Sequence, residues 1–185
     1  HRIFYPTPKS HWLRCPSGET NPALAFAYAP HDHGPFGCGE HPATVYSIPG
    51  NVQGLCVTPD GNIALSLAWG FGDAEIRIYD PARAHRGGSY LVEGHHCPLY
   101  FLDDATLMQT LTVPPMAEGI DTHDGQVYLA NESVSNLYLL GKFFGGSYVY
   151  SFPTSQAKRS ARFLPDPAAS VSPSDNRRES RNGSA

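Results

Sequence analysis

Methionine occurs only twice in the 185 residues, and no stretch approaches the ~18 consecutive apolar residues that a membrane-crossing helix needs, so no membrane span is expected. A nucleophile elbow, a phosphate-binding loop and a dinucleotide fingerprint are equally missing, which removes the common hydrolase, nucleotide and redox motifs. Gly70-x-Gly72 and Gly145-Gly146 are too short to count as such motifs and read as loops beside strands. Asp103 and Asp104 are consecutive, an arrangement that suits a turn better than a shared catalytic proton. No CxxC pair exists among Cys15, Cys38, Cys56 and Cys97. Their wide spacing suits disulfides in a secreted protein and buried thiols in a cytosolic one, so the compartment stays open, with secretion slightly favoured. The chain opens on His1 without a charged stretch leading into an apolar run, which reads as a leader already removed or as a fragment.

Positive charge is scarce in the body of the chain. Residues 1–154 carry seven Lys and Arg against fourteen Asp and Glu, whereas the remainder carries six against three. A body that acidic repels a phosphate backbone, so nucleic-acid binding through the folded part is not expected.

What is abundant points to strands and turns. Gly and Pro together make 35 residues, and Tyr and Phe make 19, a mixture that favours short strands joined tightly. Two segments repeat about sixty-five positions apart. Val52-Gln53-Gly54-Leu55-Cys56-Val57 runs into Asp60-Gly61 and then Ile63-Ala64-Leu65; Ala117-Glu118-Gly119-Ile120 runs into Asp124-Gly125 and then Val127-Tyr128-Leu129. Each Asp-Gly supplies the positive φ of a two-residue hairpin turn, and the alternating apolar residues on either side are those of half-buried strands. Further strands are expected at Glu75–Tyr79 and Ser147–Phe152, each completing an inner hairpin with an outer strand, and at Thr44–Ile48. Leu99–Leu102 and Thr106–Val113 read as another pair around Asp103-Asp104.

The expected organisation is therefore all-β. Residues 1–42 form a Pro- and His-rich N-terminal segment, possible material for a first unit; residues 43–153 hold the repeats; residues 154–185 have too few large apolar groups to offset chain entropy and are expected to be a disordered tail.

Gln53-Gly54-Leu55 with its Asp60-Gly61 turn, and Glu118-Gly119-Ile120 with Asp124-Gly125, resemble the inner strands of β-propellers of the gluconolactonase, strictosidine synthase and NHL kind. The resemblance covers roughly residues 43–153 and implies a partial β-propeller of two to three antiparallel blades. It further implies a channel-facing position for Gln53 and Glu118, where, with Asn131 and the adjacent Glu132, they could hold the calcium of lactonase-type propellers. Independently of the resemblance, His31, His33, Cys38 and His41 form a donor-rich run with zinc or copper chemistry, against the plainer reading of a His-rich loop. His95, His96 and Cys97 are consecutive, so an extended backbone would send them to opposite faces.

Two readings of function follow. One is a binding or scaffold module that offers a groove to an unidentified protein or small molecule. The other is a metal-dependent hydrolase of the lactonase type, with Glu118 as a ligand.

Overall fold

In the computed structural model the described residues are 2–4, 12–30, 37–132 and 148–153. They contain fourteen strands, one short 3-10 turn and no α-helix. The chain begins with β1 (Arg2–Phe4), β2 (Leu13–Arg14), β3 (Thr20–Asn21), β4 (Ala23–Ala27) and β5 (Thr44–Ile48). It continues through β6 (Val52–Val57), β7 (Ile63–Leu67) and β8 (Ala74–Tyr79), then the hairpin β9 (His85–Val92) and β10 (His95–Phe101), then β11 (Leu107–Val113). The last three strands are β12 (Ala117–His123), β13 (Gln126–Asn131) and β14 (Val149–Pro153).

Three sheets form the frame. The first sheet has the order β1-β4-β5-β10-β9, the second β11-β8-β7-β6, and the third β12-β13-β14; a small β2-β3 ribbon stands apart. All pairings are antiparallel except β5 with β10, where Val45, Tyr46 and Ser47 run beside Leu99, Tyr100 and Phe101. The expected pairing of Leu99–Leu102 with Thr106–Val113 is therefore not the one that forms. Both segments are strands, but β10 joins the first sheet and β11 the second. Buried Asp103 makes a turn that redirects the chain between sheets: its backbone N–H donates to Thr106 Oγ1 at 3.0 Å and its Oδ1 accepts from the Ala105 N–H at 3.1 Å.

The two sequence copies adopt the same local structure. Asn51 and Met116, one residue before each copy, both have positive φ, at 60° and 64°. Their carbonyls accept from the Ala68 and Glu132 N–H groups at 3.0 and 2.8 Å, so each hairpin is closed by the same bond. Each first strand carries an irregularity at the same place, between Val52 and Gly54 and between Ala117 and Gly119. The hairpin bends differ. Asp124 and Gly125 have φ of 46° and 71° and make the expected two-residue turn. In the first copy Thr58 and Asn62 flank three residues, with the Gly61 N–H donating to Thr58 O at 2.9 Å. Pro59 fixes φ near −65° and so cannot join a turn whose central residues need positive φ; only Gly61 is left-handed, at 82°.

The sheets stack in chain order. Ala23, Ala25 and Ile48 of the first sheet pack on Ile63, Leu65 and Leu67 of the second. Cys56, Ala64, Ile76, Ile78, Leu111 and Val113 on the second sheet's other face pack on Ala117, Leu129, Ile120, Tyr150 and Phe152 of the third. The far face of the first sheet, with Leu24, Val45 and Leu99, is covered by Leu13 and Cys15 from the small ribbon. Strand alternation makes this layering possible, because successive residues feed two different cores.

Candidate functional site

A cleft of about 220 Å³ opens where the second and third sheets meet, lined by Gln53, Ala68, Phe71, Met116, Glu118 and Glu132. Its composition follows from the repeat. Gln53 and Glu118 are the residues skipped in the two pairing irregularities, and Ala68 and Glu132 are the two equivalent closing positions. An irregularity of this kind leaves one residue outside the ladder and re-aims its side chain, which is how two strand residues come to face a cleft.

The two copies approach closely there. The Ser66 hydroxyl donates to Glu118 O at 2.6 Å, and Thr122 Oγ1 donates to Val57 O at 3.1 Å. Gly54 makes the approach possible, since a Cβ at this position would collide with the Glu118 carbonyl oxygen. Gln53 is steadied by a long bond from its Nε2 to Ala68 O, at 3.4 Å.

Electrostatically the cleft is an acidic seat. Partial burial, reinforced by the neighbouring Glu132 carboxylate, holds the Glu118 carboxyl above the usual carboxylate range. Among the described residues no basic side chain lines the cleft. Phe71 and Met116 give it an apolar wall, and Phe71 is exposed on the segment Ala68–Asp73 that overhangs it.

Of the residues singled out from sequence, Gln53, Glu118 and Glu132 are thus brought together. Asn131 is not among the lining residues: it is buried, and its Nδ2 donates to the Pro115 and Pro114 carbonyls at 2.7 and 3.3 Å, bracing the turn before β12. Its Oδ1 is buried and has no hydrogen-bond partner among the described residues. Two carboxylates and an amide are fewer than the roughly six to eight oxygens calcium takes, so water would have to supply the rest.

In the second expected cluster, His31 and His33 lie outside the described residues. Cys38 is half-buried and bridges Pro30, while His41 stacks on His95 with ring centroids 3.5 Å apart. His95 and His96 are both exposed and Cys97 is buried; the alternation of buried and half-buried residues along β10 begins only at Cys97. Among the described residues no group of three or more His, Cys, Asp or Glu side chains is placed to hold a metal ion. Nor is any helix among them long and apolar enough to cross a membrane.

Sequence reasoning passed over Phe71 and Met116 as lining residues. A signal for Phe71 was present, because Gly70-Phe71-Gly72 sets an aromatic between glycines in a connection, where burial is not available.

The chain matches no family model, no curated protein and no solved structure.

Proposed function

We propose that the chain is a propeller-like binding module, each three-stranded meander being the core of one blade, and that its ligand sits in the cleft formed by Gln53, Glu118 and Glu132. The observation that carries this reading is the placement of both repeat-equivalent residues, Gln53 and Glu118, on one cleft together with a second carboxylate. Two neighbouring carboxylates, with no basic side chain beside them among the described residues, favour a ligand with a positive or hydrogen-bond-donating group. Phe71 and Met116 favour one that also carries an apolar portion.

The competing reading is the metal-dependent hydrolase of the lactonase type. It draws support from the same carboxylate pair, since a divalent cation would offset the burial, and then the Glu132 repulsion, that raise Glu118. When bound, calcium would supply electrophilic stabilisation or an activated water; Glu118 and Glu132 would hold it and Gln53 would contribute its amide oxygen.

One set of measurements separates the two. Calorimetric titrations with small primary and quaternary amines, and with calcium chloride, are compared between the wild type and a Glu118→Gln/Glu132→Gln variant. Under the binding-module reading at least one amine binds saturably, the variant weakens it about tenfold or more, and gluconolactone and simple esters are not turned over. Calcium-dependent lactone hydrolysis that Glu118→Gln abolishes would replace this reading with the hydrolase.

A further inference from the structure

The segment Ala68–Asp73 has a groove on its other side as well. This second groove, about 360 Å³, is lined by Leu67 and Trp69, by Asn51 from the β5–β6 turn, and by Asp73, Glu75 and Arg77. Leu67, Glu75 and Arg77 share the face of the second sheet that looks toward the first, so the groove lies at a different sheet boundary from the carboxylate cleft. We propose that it is a saccharide-binding site, in which the Trp69 indole is the platform for a pyranose ring and Asn51, Asp73, Glu75 and Arg77 bind its hydroxyls.

Trp69 gives the first reason. It is 79% exposed, two residues from Leu67, which is buried at 9%. Tryptophan is on average among the well-buried side chains, and an indole held in water forgoes a large apolar gain unless something covers it. The left-handed Gly70, at φ 64°, sharply turns the chain just after it. A sugar ring suits such a platform, because one face of a pyranose presents mainly C–H groups while its rim is polar.

The polar lining gives the second. A hydroxyl both donates and accepts, and a vicinal diol is matched by side chains that together do both. Asp73 and Glu75 accept, Arg77 donates, and Asn51 does either. Arg77 and Glu75 are already joined, with Nη2 2.7 Å and Nε 2.8 Å from Glu75 Oε2, and both are only partly exposed. Side chains ordered before the ligand arrives lose less freedom on binding.

Charge narrows the class further. With Arg77 and Glu75 paired, the remaining charge on the lining, among the described residues, is the Asp73 carboxylate. A phosphate-bearing ligand would be repelled and a simple cation would find a single exposed carboxylate, whereas an uncharged polyhydroxy compound meets no opposing charge. None of Gln53, Glu118 and Glu132 lines this groove, so the proposal stands apart from the cleft.

The test uses the full chain in a Trp12→Phe background, so that fluorescence reports Trp69 alone. Glucose, galactose, mannose, xylose, N-acetylglucosamine and their β-linked disaccharides are titrated, with adenosine as a stacking ligand that lacks a pyranose. At least one saccharide is expected to shift the Trp69 emission saturably and to give a calorimetric heat. Trp69→Ala should weaken it about tenfold or more, Trp69→Phe should retain part of the affinity, and Arg77→Ala should weaken it as well. Because Trp69 faces solvent, its variants should keep the wild-type thermal midpoint. Glu118→Gln should bind the sugar as the parent does, so failure of the cleft reading leaves this one intact. The proposal is overturned if no saccharide binds, if Trp69→Ala binds one as well as the parent, or if adenosine alone binds.

Discussion

Gly54 shows how far a single atom decides the site. Its missing Cβ lets the Glu118 carbonyl come close enough to accept from Ser66, and that contact fixes the backbone from which the Glu118 side chain enters the cleft. Gly54→Ala should cost about 1–3 kcal/mol, because the atom it meets is backbone and cannot swing aside. Urea denaturation checks the magnitude, and a change below a few tenths of a kcal/mol would mean that the two copies do not meet here. Glu118 itself is expected to be a source of pH dependence. Its folded pKa is raised above the ordinary 4.5, mainly by burial and then by Glu132, so its contribution favours the fold below that ordinary value and is lost as pH rises through the folded value. Near pH 7, then, Glu118→Gln should melt higher than the wild type, with the gap closing near pH 4; an unchanged gap across that range would remove Glu132 and burial as the cause. Thiol chemistry gives a third residue-level expectation. Burial first, and then nearby carboxylates, push Cys15 and Cys56 up to about 12, and Cys97 is buried as well. Brief alkylation of native protein followed by peptide mass spectrometry should label Cys38 ahead of the other three.

At the scale of elements, what the sequence made legible was whatever is local. The Asp124-Gly125 turn, the alternation in β13, and the strands at Thr44–Ile48 and Glu75–Tyr79 all follow from neighbours within a few residues, whereas β7 is buried on both faces and β6 buries Cys56 and exposes Val57, contrary to the half-buried pattern expected of them. The cleft was half legible for the same reason: Gln53 and Glu118 stand out because the repeat is local and aligned, whereas Phe71 enters from a loop that has no counterpart in the pattern. Strand β9 was missed because His85–Val92 is exposed along most of its length and has no apolar alternation to read. The parallel β5–β10 pairing was beyond local reasoning, since it joins segments about fifty residues apart through a hairpin that leaves the second sheet and returns. That hairpin supplies the first sheet with its outermost two strands, and β9 is the edge. Hydrogen exchange should follow this order. Amides of β5 and β7, paired on both sides, should exchange slowest, and those of β9 that do not face β10 fastest. Equal protection across β9 would indicate that something covers the edge.

For the whole molecule, the consequence of stacking sheets built on like hairpins is that equivalent positions acquire unequal worth. Ile76 on β8 and Val149 on β14 occupy the same place in their meanders, opposite Ser66 and Ala130. Ile76 is fully buried against the third sheet, whereas Val149 is 64% exposed on that sheet's far face. The neighbouring positions on that face have changed character in step: Asp121 stands where the second sheet has Cys56, Tyr128 where it has Ala64, and Ser151 where it has Ile78. A sheet whose outer face meets water needs such exchanges, while one packed on both faces does not. Ile76→Ala should therefore cost about 2–5 kcal/mol, the range for emptying a packed apolar site, and Val149→Ala should lie within about 0.5 kcal/mol of the wild type. Measured by urea denaturation at two protein concentrations, the pair also tests whether the face is terminal in solution. If a second copy or another unit covers it, Val149→Ala becomes costly, and in the case of a second copy the cost shrinks with dilution, as the parent too becomes monomeric.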